Sequence, residues 1–243
     1  MKTTEQRIAD VWAKLDQVMD PELDQSVREL GFISDVTVLD GQVSIALRLP
    51  TYWCSPNFSY MMMEDMRQAV RSLPWVESIR LRLLDHESAD ALNEGIEQEK
   101  TFQQIFPDAT GDLGALRRQF KEKAFYGRQK RLLDRLSLQG VELARWVPGK
   151  WQDVRFLVQV SLEDRVALER YEDIVSYWGL PQSDSDPVVI RHDGTPVTES
   201  GWTRHWHQLR LVSLNMEANT HICRGLLQVR YAPDEVGSIR LPQ

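Results

Sequence analysis

The sequence has few cysteines and no long apolar run. Cys54 and Cys223 are the two cysteines among 243 residues, and they stand far apart in the chain. A disulfide framework is therefore excluded, and no CxxC pattern is present. Because no run of about 18 apolar residues occurs, we expect no membrane-spanning helix. The first residues form no apolar signal-peptide core, so we expect a protein of the reducing cytoplasm.

Positive charge is scarce in the first part of the chain. Residues 1–90 carry 9 Lys and Arg against 15 Asp and Glu, and the whole chain has a net charge of −7. Nucleic-acid binding depends on neutralising phosphates, so this charge distribution argues against it. The sequence also lacks a glycine-rich phosphate loop, a serine–histidine hydrolase pattern and internal repeats. We expect neither nucleic acid nor a membrane as a partner.

The patterns that are present in the first 85 residues predict a small α+β domain. Asp40-Gly41 separates two segments in which apolar and polar residues alternate, which is the pattern of a β-hairpin whose Val43 face lies in the core. Amphipathic helices are indicated by apolar residues three and four apart. The predicted elements are a helix over 5–18, strands over 36–39 and 43–49, a helix over 57–73 and a strand over 76–84.

The chain beyond residue 88 has a different pattern of apolar and charged residues, and we predict two domains, 1–88 and 89–243. The second is expected to be mainly helical, although its fold is not evident from the sequence. Residues 86–98 are polar and are interpreted as a linker or a surface helix. The further predicted elements are a basic helix over 113–138 interrupted at Gly127, a short strand over 154–160, and helices over 161–178, 198–214 and 216–231.

The sequence around Cys54 suggests an activated thiol. Cys54 follows a predicted strand, and Ser55 and Pro56 are typical of a helix start. The unpaired N–H groups and the dipole of that helix would favour the thiolate, which binds metals and attacks electrophiles. A buried structural cysteine is the alternative. Asp20 and Glu22 flank a proline, where carboxylates also commonly make turn hydrogen bonds and nothing more.

Taken together, these motifs resemble the SufT/PaaD-like iron–sulfur assembly domain. The resemblance covers about residues 5–85. The residues that carry it are Asp20-Pro21-Glu22, Leu30-Gly31-Phe32-Ile33, the hairpin turn Asp40-Gly41, Thr51-X-X-Cys54 and Leu73-Pro74-Trp75-Val76.

The resemblance implies a non-enzymatic maturation factor that delivers iron, another metal or an iron–sulfur cluster to a client protein. Cys54 would be the thiol that contacts the metal or cluster, with Asp20 and Glu22 tuning or orienting it and Thr51 in support. PaaD-like proteins accompany multicomponent oxygenases, which implies an oxygenase component as the dedicated client. Binding could be transient, and a metal-free protein is also compatible with the resemblance.

Two departures from the family pattern are evident. Where the family has Gly-Cys-Pro, this chain has Trp53-Cys54-Ser55-Pro56, and a tryptophan there would shield the thiol. The second departure is the extension beyond residue 90, which we interpret as a region that recognises the client.

A second group of potential ligands lies near the C-terminus. Glu217 and His221 are four residues apart on one predicted helix face, a spacing at which a carboxylate and an imidazole can hold one ion. Asn219 and Cys223 share an adjacent face. If this helix folds back on the first domain, these residues complete a metal site with Cys54. The alternative is a surface Glu–His pair and a core cysteine.

Three functional hypotheses remain open at this point. The first is the assembly factor, acting through Cys54. The second is a metal-free, chaperone-like accessory protein for a soluble di-iron monooxygenase. The third is a thiol enzyme in which His86 or His221 comes close to Cys54 in space. An exposed hairpin edge would also allow a homodimer.

Overall fold

A computed structural model describes residues 2–140, 142, 146–158 and 161–231. By residue contacts the chain forms two compact units, one of Met1–Leu113 with Ala218–Gln243 and the other of Gly114–Glu217. The sequence predicts a boundary after residue 88, between a segment that resembles a known family and an extension. Grouping by residue contacts does not test that boundary, so it stays a prediction. The predicted fold class is confirmed, because the described part combines a small sheet with a mainly helical remainder.

The secondary structure agrees with the predicted order of elements in the first unit. The helices are α1 Thr4–Leu15, α2 Pro56–Arg71, α3 Ala89–Glu97, α4 Phe102–Ile105, α5 Leu113–Leu138, α6 Trp151–Leu157, α7 Leu162–Tyr177 and α8 Glu199–Tyr231. The strands are β1 Ile33–Leu39, β2 Gln42–Arg48 and β3 Ser78–Leu84. Among the helices that are described, none is both long and apolar enough to cross a membrane.

The hairpin turn forms as predicted. Asp40 and Gly41 have φ angles of 44° and 83°, the left-handed conformation that a two-residue turn between twisted strands requires. β1 and β2 pair antiparallel across it. On β2 the side chains of Val43, Ile45 and Leu47 are buried, which confirms the prediction of the core face.

The sheet topology brings three loops to one end of the sheet. β2 and β3 are parallel, with Arg48 opposite Leu84, and α2 connects them. β1 runs the other way, so its first residue, Ile33, lies opposite Leu47. The loop before β1, the loop after β2 and the loop after β3 therefore emerge together.

Residues 86–98 contain a surface helix rather than a linker, which agrees with one of the two interpretations. α3 leaves Asp90 and Glu94 exposed and buries Leu92 and Ile96 in the core of the first unit. The Asn93 side chain accepts a hydrogen bond from the Leu83 N–H over 2.8 Å and donates one to the Leu83 carbonyl oxygen over 3.1 Å. The polar pattern did not indicate this packing, because an asparagine that pairs with a strand edge satisfies backbone groups there.

Three further predictions about the C-terminal part are wrong. The segment predicted as a strand over 154–160 is helix α6 up to Leu157, and residues 159 and 160 lie outside the described residues. α5 continues through Gly127, where an added Cβ would lie 3.0 Å from the sulfur of Met216, so the glycine permits close packing rather than a break. The two helices predicted over 198–214 and 216–231 are the single helix α8.

The second unit has its own apolar core with a polar network inside it. Gln129 is 1% exposed, and its Nε2 donates to the Tyr171 hydroxyl over 2.5 Å and to the Ile190 carbonyl oxygen over 2.9 Å. Its Oε1 lies 2.5 Å from Nε2 of the buried His205. Because Oε1 can only accept, His205 donates in this pair. One glutamine thus connects three parts of this unit.

Candidate functional site

Cys54 lies in the loop between β2 and α2, as predicted. Ser55 is the N-cap of α2 and Pro56 occupies its first turn, so Cys54 directly precedes the helix start. The thiol is free and half-buried. Its sulfur lies 3.2 Å from the hydroxyl oxygen of Thr51. A hydroxyl at this distance can donate to a thiolate and orient it, and the supporting role of Thr51 stays a prediction.

The loop that carries Cys54 is held by the neighbouring loop after β3. The backbone N–H of Glu87 donates to the Tyr52 carbonyl oxygen over 2.8 Å. Nε2 of the buried His86 lies 2.7 Å from the Cys54 carbonyl oxygen. Two hydrogen bonds therefore fix the backbone on both sides of Trp53, and the thiol is presented by a constrained loop.

The hydrogen bonds of His86 define its tautomer. The Ser88 backbone N–H donates to Nδ1 over 3.0 Å, so Nδ1 carries no proton and Nε2–H must donate to the Cys54 carbonyl oxygen. Burial lowers the pKa of His86, and this keeps the ring neutral. Both ring nitrogens are thus engaged with backbone groups. This arrangement does not support a cysteine–histidine nucleophile, in which the imidazole would face the sulfur.

Asp20 is a buried carboxylate in the loop before β1. It is 6% exposed, and its Oδ1 accepts hydrogen bonds from the backbone N–H groups of Glu22 and Leu23 over 2.9 and 2.8 Å. Burial raises the pKa of Asp20 to about 6, an effect to which the charges of Glu22 and Asp24 add and which the two hydrogen bonds oppose. The turn interpretation therefore holds for Asp20, and its carboxylate also lies in a low-dielectric position.

Residues 218–231 of α8 belong to the first unit. The N-terminal end of this segment contacts the loop that contains Asp20. Thr220 accepts a hydrogen bond from Nε2 of Gln25 over 3.0 Å. Nδ2 of Asn219 donates to Oε1 of Glu22 over 3.4 Å. Arg224 donates to the side-chain oxygen of Gln25 over 3.0 Å. This part of the helix therefore lies beside the predicted acidic residues.

The far end of the same segment contacts the loops after β2 and β3. Arg230 donates to the carbonyl oxygen of Leu49 over 3.2 Å and also to that of Asp85. The guanidinium of Arg48 lies 4.8 Å from the centre of the Tyr231 ring, within the range of a cation–π contact. The segment thus spans the three-loop end of the sheet.

Cys223 lies in the middle of this segment and is half-buried. Burial raises the pKa of its thiol to about 11, and the negative charges of Asp20, Cys54 and Glu22 add to the effect. The structure therefore brings Cys223 into the electrostatic range of Cys54 and Asp20, which lie more than 160 residues earlier in the chain.

The other predicted site residues lie at the periphery. His221 is exposed. Glu217 is exposed as well, and its carboxylate accepts a hydrogen bond from the Ser213 hydroxyl over 2.9 Å. Trp53 is 73% exposed, and its ring meets the edge of the Tyr52 ring at a centroid distance of 5.6 Å. The shielding of the thiol by Trp53 stays a prediction.

The described residues do not form a ready-made metal centre. Within the described ranges, no group of three or more His, Cys, Asp and Glu side chains is placed to hold a metal ion. The potential ligands at the three-loop end of the sheet are the two thiols, with Asp20 near them. Thiolates suit thiophilic metals and iron–sulfur clusters, so the chemistry of the donors fits such a cargo, although its remaining ligands must come from elsewhere.

Comparison with known proteins finds similarity to proteins of iron–sulfur cluster assembly. Residues 8–81 match the family model described as iron-sulfur cluster assembly protein. Over 66 residues the chain is 39% identical to an iron-sulfur cluster carrier protein of Synechocystis sp.. That alignment covers 27% of this chain and 18% of the relative, so the chain spans less than a fifth of the curated relative that it matches.

A solved structure is also similar to about a third of the chain. It is the crystal structure of a domain of unknown function from Bacillus anthracis, and its sequence is 23% identical to this chain. The alignment covers 33% of this chain and 76% of the Bacillus anthracis chain, with a TM-score of 0.32. The match of residues 8–81 to the family model confirms the predicted resemblance at the level of iron–sulfur cluster assembly proteins.

Two residues of the site could not be assigned from the sequence. The sequence suggests His86 only as a base for a thiol enzyme. In the structure its imidazole contacts the backbone carbonyl oxygen of Cys54. A signal for this contact exists, because a residue directly after a strand parallel to β2 must lie near the loop after β2. No sequence pattern indicates the contacts of Arg230, because they depend on where the last helix packs.

Proposed function

We propose that this protein is an assembly factor that binds a metal ion or an iron–sulfur cluster through the Cys54 thiolate and delivers it to a client protein. The observation that carries this proposal is the position of Cys54. Its free thiol lies in a constrained loop of the segment that matches the iron–sulfur assembly family, at the end of the sheet where three loops meet.

The geometry around the thiol suits transfer better than permanent storage. A structural zinc or iron–sulfur site uses about four protein ligands and holds its metal tightly. Here Cys54 is half-buried rather than enclosed, and Oδ1 of Asp20 already accepts hydrogen bonds from two backbone N–H groups. A cargo on such a site keeps open coordination positions, through which ligands of a client or of a second copy can take it over.

The proposed client is a component of an oxygenase, in line with the resemblance to PaaD-like proteins that accompany multicomponent oxygenases. We place this role in the cytoplasm, because free thiols persist there, and we assign no reaction to the protein itself. The exposed Tyr52–Trp53 pair beside the thiol supports contact with a protein, since exposed aromatic side chains are enriched among residues that dominate protein interfaces.

Reconstitution with iron and sulfide without oxygen, followed by transfer to the apo-client, tests the proposal. We expect Cys54→Ser to bind its cargo much more weakly and to lose client maturation, while its circular dichroism and thermal unfolding stay those of the wild type. Ser78→Ala, an exposed change on β3 of the same unit, should behave as the wild type. Client maturation that is unchanged in Cys54→Ser would contradict the proposal. A wild-type protein that binds no cargo yet still promotes maturation would instead identify a metal-free accessory protein.

A further inference from the structure

The side of α8 that faces the first unit is defined by its contacts. Asn219, Cys223, Leu227 and Arg230 follow the spacing that places residues on one face of a helix. Asn219 contacts Glu22, and Arg230 contacts the backbone at the end of β2. Cys223 lies between these contacts in the helix, so it faces the region between the loop of Asp20 and the loop of Cys54.

The opposite side of the same segment points away from the unit. Ile222 is 59% exposed and Val229 is 83% exposed. Leu227, in contrast, comes within 3.5 Å of the position that a Cβ at Gly31 would occupy, so it packs against the loop before β1. The rotation of the helix about its axis is therefore set, and Cys223 is on the inward side.

Acidic and thiol groups lie near Cys223. Cys54 and Cys223 pack against the same apolar core, and Asn219, one turn before Cys223, donates to the carboxylate of Glu22. A cation bound between the two sulfurs would stabilise both thiolates and offset the nearby carboxylate charge.

We propose that Cys54 and Cys223 form a two-thiol site for a thiophilic divalent metal ion such as Fe²⁺. One thiol comes from the segment that matches the iron–sulfur assembly family and the other from the extension. This inference rests on the proposed function for the role of Cys54 and adds Cys223 as the second ligand. His221, which is exposed, has no part in it.

The chemistry requires no oxidant or reductant. The metal ion forms one bond to each sulfur, and each thiol releases its proton to solvent, so a bound divalent ion displaces up to two protons and gives a neutral pair of metal–thiolate bonds. Two protein ligands leave the remaining positions to water or to ligands of the client. A site of this kind holds its cargo less tightly than a four-ligand site, which fits delivery.

Titration of the full-length protein with Co²⁺ without oxygen tests the two-thiol site, because cobalt–thiolate charge-transfer absorption reports each sulfur ligand. The variants are Cys54→Ser, Cys223→Ser, the double variant and Ile222→Ser, an exposed control next to Cys223. We expect each single cysteine variant to keep about half of the absorption and to bind Co²⁺ about tenfold or more weakly. The double variant should show no such absorption, and the control should match the wild type.

The outcomes separate this inference from the proposed function. If Cys54→Ser loses absorption while Cys223→Ser matches the wild type, Cys54 remains the cargo thiol and the two-thiol site is wrong. If neither variant differs from the wild type, both proposals are wrong. Proton release on Co²⁺ binding provides a second measurement. The wild type should release about one proton more per ion than Cys223→Ser, because a second thiol loses its proton on binding, and equal release overturns the two-thiol site.

Discussion

Nε2 of His86 donates a hydrogen bond to the carbonyl oxygen of Cys54 over 2.7 Å, while its Nδ1 accepts one from the backbone N–H of Ser88. A neutral imidazole thus joins the loop after β3 to the loop that carries the thiol. Protonation of Nδ1 would remove its acceptor and leave the Ser88 N–H unpaired. The position of Cys54 therefore depends on the charge of a residue 32 positions away.

Acidification should weaken this connection. The pKa of His86 is lowered by burial, so the folded protein binds this proton less readily than the unfolded chain, and the contribution of His86 to stability is lost as the pH falls below the usual histidine range. We expect the free energy of unfolding of the wild type, relative to His86→Gln, to decrease between about pH 7.5 and 5.5. Urea unfolding at both values measures it. The exposed His207→Gln is the control, and a difference that does not depend on pH would contradict the prediction.

Asp20 should destabilise the folded protein at neutral pH. Its pKa is raised to about 6 from 3.8, mainly by burial, so the folded state binds the proton more readily and stability falls as the pH rises from about 4 to 6. Asp20→Asn keeps the oxygen that accepts from Glu22 and Leu23 but carries no charge. We expect it to raise the free energy of unfolding by about 2–3 kcal/mol at neutral pH and by little near pH 4.

Chemical unfolding at both pH values tests the Asp20 prediction. Asp35→Asn, which removes an exposed carboxylate from β1, serves as the matched control and should change stability little at either pH. An Asp20→Asn protein that is less stable than the wild type at neutral pH would show that the carboxylate has a stabilising partner that outweighs its burial.

Arg230 should keep the last helix on the three-loop end of the sheet. It donates to the carbonyl oxygens of Leu49 and Asp85, and such charge-assisted hydrogen bonds contribute about 1–3 kcal/mol where they are shielded from water. We expect Arg230→Ala to increase the alkylation rate of Cys223 several-fold, because local opening of the segment becomes easier. Mass spectrometry after timed alkylation measures the rate at each cysteine separately. Arg210→Ala, an exposed change earlier in α8, should leave it unchanged.

Gln129 should be essential to the second unit. Its side chain makes hydrogen bonds to Tyr171, Ile190 and His205 inside the core. Gln129→Leu has a similar volume but leaves these buried polar groups without their partner, so we expect a loss of about 2–4 kcal/mol in the free energy of unfolding. Urea unfolding measures the loss, with the exposed Glu169→Gln as the control. A change below about 0.5 kcal/mol would show that other groups or water replace the glutamine.

Local patterns in the sequence were sufficient for much of the first unit. Asp40-Gly41 required a left-handed turn, alternation on β2 defined the core face, and Ser55-Pro56 placed Cys54 at a helix start. These features depend on backbone preferences and side-chain periodicity within a few residues, so the sequence by itself determined them.

Features that depend on distant partners were decided only by the tertiary structure. Gly127 disfavours a helix in isolation, but it lies in a continuous helix, where the absence of a Cβ leaves room for Met216. Likewise, the sequence marked Cys54 as a candidate thiol but not its neighbours. Parallel pairing of β2 with β3 brings His86 to Cys54, and packing of the last helix on the first unit brings Cys223 into electrostatic range. Contacts between residues so far apart in the chain follow from topology, which no local pattern encodes.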